Sequence, residues 1–183
     1  MRVTIGDDTY SGLELYVRRF VLIAILAGLL AGLVTAPASA RTNGWEPAPS
    51  AGWELPAGVR CEFPFSGEPI VDEVRRKVLS TYPDGSVQRE AYIGDLVLRI
   101  TNLETGASTD ADASGKAVLE YGEDGSVTWH WIGPVMVGFG DNSNHEKGLF
   151  ILDGRYTMVI HPDGYREVVY SSGTERDLCA AVS

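Results

Sequence analysis

Trp129-His130-Trp131 sets an imidazole between two indoles, a few residues after Asp124-Gly125. Such a cluster can line an aromatic binding site, or it can be one arm of a β-hairpin. In a strand, alternate side chains point to opposite faces. Val127, Trp129 and Trp131 then share one face, and Thr128, His130 and Ile132 share the other. His130 points outward on this reading, which argues against a catalytic base deep inside. His145 and His161 are the remaining histidines, and no two of the three are two or four positions apart. No local metal-ligand pair arises, so no metal is expected.

The other groups able to do chemistry read similarly. Asp110 and Asp112 alternate on one strand. A close carboxylate pair can split its pKa values for acid–base work, but like charges on an exposed edge strand also block sheet-to-sheet pairing. Asp141-Asn142-Ser143-Asn144-His145-Glu146 offers oxygens suited to Ca²⁺, without the spacing and glycine of a calcium loop. The chain has no Gly-x-Ser-x-Gly and no Ser-x-x-Lys. Gly138-Phe139-Gly140 lacks the following helix that a phosphate-cradling loop requires. No catalytic residue and no cofactor are expected.

The elements that must carry these residues follow from the punctuation. Asp84-Gly85, Asp124-Gly125 and Asp163-Gly164 recur at near-equal spacing, each inside a run rich in β-formers. Asp-Gly in that setting predicts hairpins closed by type I′ turns, which need positive φ at both central residues. Strands are expected at Asp95–Thr101, Ser108–Ala113, Lys116–Tyr121, Ser126–Ile132, Pro134–Phe139, Leu149–Leu152, Arg155–Ile160 and Tyr165–Tyr170. A further strand at Arg76–Tyr82 competes with a helix, because Ile70, Val74 and Val78 also recur at helical spacing. Thr174 with Asp177 three positions on predicts a capped helix over about 175–181. The fold class is all-β, a single antiparallel barrel or sandwich of about eight to nine short strands, closed or nearly closed, with a short C-terminal helix.

At the N-terminus, Arg18-Arg19, the apolar run Phe20–Val34 and Ala38-Ser39-Ala40 form the three parts of a secretory signal peptide over residues 1–40. The alternative is an uncleaved anchor, the one route to a membrane, although the run is shorter than the ~20 residues of a full span. Residues 41–59 mix proline and glycine with Trp45 and Trp53 and read as a linker; residues 60–183 form the β domain. Cys61 and Cys179 are the only cysteines, and in an exported chain they predict one disulfide across the domain. The net charge of −10, with Arg75-Arg76-Lys77 as the one basic cluster, argues against nucleic acid as a partner.

The order of four motifs resembles a group of small secreted actinobacterial proteins. These are Cys61-Glu62-Phe63-Pro64, Asp84-Gly85, Thr101-Asn102-Leu103-Glu104-Thr105-Gly106 and Arg176-Asp177-Leu178-Cys179, and the resemblance spans about residues 60–182. It implies export, an all-β domain and a terminal disulfide. It carries no catalytic or binding residue, since the group has no assigned activity. The leading functional expectation is non-enzymatic binding of a small apolar ligand by Trp129, Trp131, Phe139 and Leu98 (or its neighbour Val97) on the inner face of the sheet. The alternatives are an extracellular or cell-envelope interaction module that uses Trp45, Trp53 or a strand edge, and a hydrolase or isomerase with a site in the cavity.

Overall fold

The computed structural model describes residues 44–183. The signal-peptide reading of residues 1–40 lies outside the described residues. No helix among those described is long and apolar enough to cross a membrane. Eleven strands and one short helix follow in order: β1 (Glu46–Pro47), β2 (Trp53–Leu55), β3 (Phe65–Asp72), β4 (Arg75–Thr81), β5 (Val87–Ile93), β6 (Leu96–Asn102), β7 (Ser108–Asp112), β8 (Lys116–Tyr121), β9 (Val127–Phe139), β10 (Gly148–Ile160), β11 (Arg166–Asp177) and α1 (Leu178–Ala181).

The strands form two antiparallel sheets. The large one runs β1-β4-β5-β8-β9-β10-β11, the small one β2-β3-β6-β7. Both are open, with β1, β11, β2 and β7 at their edges, so the expected closed barrel is corrected. The chain closes no barrel because it changes sheet at short corners. Glu73-Val74 separates β3 from β4, Gly94-Asp95 separates β5 from β6, and Ala113 to Gly115 separates β7 from β8. Gly94 has φ +133°, and a Cβ there would lie 2.2 Å from the Glu73 carbonyl oxygen. Only glycine lets the two chains cross so closely.

The count of eight to nine strands is also corrected, for two opposing reasons. β1 and β2 lie within the Pro/Gly stretch 41–59, β3 breaks alternation with Gly67 and Pro69, and β5 is not among the expected strands. Gly67 is needed because the Trp53 ring lies across it, where a Cβ would sit 2.3 Å from an indole carbon. Pro69 sits at a register shift in the β3–β6 ladder, where a missing N–H is tolerated. Conversely, 126–132 and 134–139 are one strand, β9, and 149–152 and 155–160 are one strand, β10. The glycines between them bend these strands without ending them: Gly133 pairs with Gly154, which pairs with Gly173.

This glycine row folds the β9–β10–β11 ribbon back on itself. A thirteen-residue strand would extend about 43 Å if straight. Yet the loop at its far end reaches the start of β11: Arg166 N donates to Asn142 O (3.0 Å) and Asn144 N to Arg166 O (3.1 Å). Asn144 completes the clasp through its own side chain, accepting from Val168 N at 2.8 Å. Two cores result. One joins the small sheet to β10 and α1 through Phe65, Leu98, Ile100, Leu149, Ile151 and Leu178. The other fills the fold of the ribbon with Trp131, Val137, Phe139, Phe150, Leu152 and Tyr156. Residues 148–152 are therefore buried without a break, because both faces of β10 are covered there.

The three Asp-Gly hairpins form, the first with the unexpected β5 as its second arm, but with a different turn. Gly85 N donates to Tyr82 O, Gly125 N to Gly122 O and Gly164 N to His161 O. Pro83-Asp84, Glu123-Asp124 and Pro162-Asp163 therefore take the central positions, and each glycine follows at φ between +82° and +88°. This is the three-residue loop with a glycine bulge. In this register Pro83 and Pro162 take the first central position of two of the turns, where a φ fixed near −65° excludes type I′. Each aspartate also accepts from the N–H two residues on, at 2.9–3.0 Å.

Arg75–Thr81 is a strand as expected. The helix is shorter than expected and begins later. Thr174 still lies in β11, and Asp177 is the cap, accepting from Ala180 N at 3.1 Å. The Cys61–Cys179 disulfide is present, with Cα atoms 5.4 Å apart.

Candidate functional site

A cavity of about 430 Å³ lies where the two sheets diverge from their corners. β8 and β9 supply Ala117, Leu119 and Trp129, and the small sheet supplies Trp53, Leu96 and Leu98. Exposed Ser50 and Ala51 form its lip. The lining is apolar, a consequence of strand alternation. Leu119 faces Trp129 across the β8–β9 ladder, and Ala117 faces Trp131, so small and large side chains share one face. Trp53 is fixed edge-on to Phe65, with ring centroids 5.5 Å apart.

A buried carboxylate lies beside this cavity. Glu90 is 3% exposed and pairs with Leu119 across β5–β8. Its Oε1 accepts from the Tyr92 hydroxyl at 2.9 Å and the Tyr121 hydroxyl at 2.5 Å. Its Oε2 stands 3.6 Å from Arg76, which also pairs with Glu46 at 2.7 Å. Burial raises both phenols above the usual tyrosine range, and the adjoining Glu90 carboxylate raises them further. A buried charge needs such partners. With Oε1 held by the phenols of Tyr92 and Tyr121, Glu90 ties β5 to β8 beside the cavity. The sequence reading missed this group. An isolated Glu in a strand carries no local signal, and one of its partners is 31 residues away.

The four residues singled out from sequence divide. Trp129 and Leu98 line the cavity. Trp131 and Phe139 belong to the ribbon core, 1% and 0% exposed. Trp131 stacks on Tyr156 at 5.3 Å, and its indole N–H has no hydrogen-bond partner among the described residues. Phe139 stacks on His145 at 4.2 Å. The structure does not bring these two pairs into one site.

The remaining groups have local partners. His130 points outward to Thr157 Oγ1 at 3.0 Å, His145 Nε2 lies 3.0 Å from Glu175, and His161 Nε2 lies 2.9 Å from Glu167. Asp110 is held by Arg99 at 2.8 and 3.0 Å, which lowers its pKa. Asp112 caps Ser114 N at 2.9 Å. The loop 141–146 is committed to the clasp with β11, and no group of three potential metal ligands gathers among the described residues. On the opposite face of the large sheet, Trp45, Ile93, Val118, Ile132 and Tyr170 border a shallow groove flanked by Lys116 and Arg155.

The chain matches no protein-family model, no curated protein and no solved structure.

Proposed function

We propose that the protein is a non-enzymatic, exported binder that holds a small apolar molecule between its two sheets. The observation that supports this reading is the apolar cavity of about 430 Å³ walled by Trp53, Leu96, Leu98, Leu119 and Trp129. Its size falls in the range of small-molecule sites, which are concave and mostly apolar. Export is supported by the Cys61–Cys179 bridge, a bond that persists in oxidising compartments, and agrees with the resemblance to small secreted actinobacterial proteins.

The test is titration of the full chain with an environment-sensitive apolar dye, read by dye and tryptophan fluorescence. Saturable binding is expected at one site. Ala51→Trp, a substitution on the exposed lip, should weaken it about tenfold or more by narrowing the entrance, equivalent to ~1.4 kcal/mol. Dye binding unaffected by Ala51→Trp places the dye elsewhere and contradicts the reading.

The outer groove favours a second reading, an interaction module. Ile132 is 61% and Tyr170 49% exposed there, and contiguous apolar exposure marks contact surfaces.

A further inference from the structure

Two arginines converge at the C-terminal end of β9 without a carboxylate partner among the described residues. The Arg166 guanidinium donates to the Gly138 carbonyl oxygen. The Arg60 side chain lies over the same residue: a Cβ on Gly138 would sit 2.8 Å from Arg60 Nε, and a Cβ on Gly140 2.6 Å from Arg60 Nη1. The two glycines thus form a slot that the absence of a Cβ leaves open, and Arg60 fills it. Arg60 Nη1 donates in turn to Val59 O at 2.8 Å.

Neither arginine has an ion-pair partner among the described residues, although the chain holds 25 acidic side chains against 15 basic ones. Among the other described arginines, Arg76, Arg89 and Arg99 are ion-paired and Arg75, Arg155 and Arg176 are not, so what sets this pair apart is its convergence on Gly138. The pair is also anchored. Arg60 precedes Cys61 of the disulfide, and the Arg166 backbone is hydrogen-bonded both ways to the 142–144 loop. Each guanidinium uses one nitrogen on a carbonyl, which leaves further N–H donors of its five-donor fork. Like charges held together repel, and the repulsion is relieved by an anion that bridges them. Burial lowers the pKa of Arg166, and the charge of Arg60 lowers it further.

The geometry points to an oxyanion-binding site at Arg60 and Arg166, for a carboxylate or phosphate group presented to both guanidinium forks. Planar bidentate recognition of these two anions is what arginine does better than lysine. The site is distinct from the apolar cavity, since neither arginine lines it.

The test is calorimetric titration of the full chain, at constant ionic strength in chloride, with sodium phosphate and separately with sodium acetate. Saturable binding of at least one anion is expected. Arg60→Gln and Arg166→Gln should each weaken it about tenfold, the loss of a charge-assisted contact, while Arg89→Gln, which breaks only the Arg89–Glu120 pair, should leave it unchanged. Binding of phosphate alone assigns the site to a phosphoryl group, and of acetate alone or both to carboxylates as well. The wild-type titration alone overturns the assignment if neither anion binds, even where a variant fails to fold. Absence of saturable binding by either anion, or binding that survives in folded Arg60→Gln and Arg166→Gln, overturns the assignment.

Discussion

At the scale of single residues, Glu90 shows how much one buried charge demands. Two phenols and a guanidinium surround it. Removing a hydrogen bond to a buried charged group costs roughly 1.5–3 kcal/mol, so Tyr121→Phe should lower unfolding free energy by that amount at neutral pH, measured by chemical denaturation. The alkaline behaviour has a definite sign. The folded-state pKa of Tyr121 is raised above its ordinary value of 10.0, so folding holds the phenol protonated. Its contribution is complete below about pH 10 and is lost as pH climbs from there through the folded pKa. Wild type should therefore lose stability steeply above about pH 10, and Tyr121→Phe should flatten that limb. An identical alkaline slope in the two proteins would remove Tyr121 from the linkage.

At the scale of elements, the glycine row Gly133–Gly154–Gly173 separates a bend from a break. Gly154 has φ +150°, and a Cβ would meet the Ser172 carbonyl oxygen at 2.3 Å. Gly85 also has positive φ, yet nothing lies within 4 Å of its would-be Cβ. Gly85→Ala should cost about 1–2 kcal/mol, the left-handed backbone penalty alone. Gly154→Ala should cost more than about 4 kcal/mol or prevent folding, and thermal unfolding of the pair distinguishes the two cases. The same contrast explains what could be read from sequence. Lys116–Tyr121 and the three hairpins were legible because alternation and Asp-Gly are local signals. The fusion of 126–132 with 134–139 was not, because a glycine that bends a ladder reads like one that ends it. The Asp-Gly turn type depended on register, which set Pro83 and Pro162 inside the turns. For the site, Trp129 was legible as an inward ring. Trp131 and Phe139 were separated from it by a fold-back that no periodicity encodes, and Trp53 entered the cavity through the pairing of β2 with β3.

At the scale of the whole molecule, the disulfide and the cavity act on the same region. Cys61–Cys179 joins positions 118 residues apart and ties α1 to the core that backs the small sheet. Closing a loop of this length contributes at most about 4–5 kcal/mol in the chain-entropy view. Reduction should lower the denaturation midpoint accordingly, with dye binding in the cavity lost in parallel. The account's central claim is that the space beside Trp129 is a binding site and not an empty fold defect. Native mass spectrometry of the protein recovered from its source organism tests this most directly. The account predicts a mass above that of the oxidised chain, with the excess released on denaturation as a small apolar molecule. A bare mass, two hydrogens below the reduced chain and unchanged when apolar extracts of the culture are added, would contradict it.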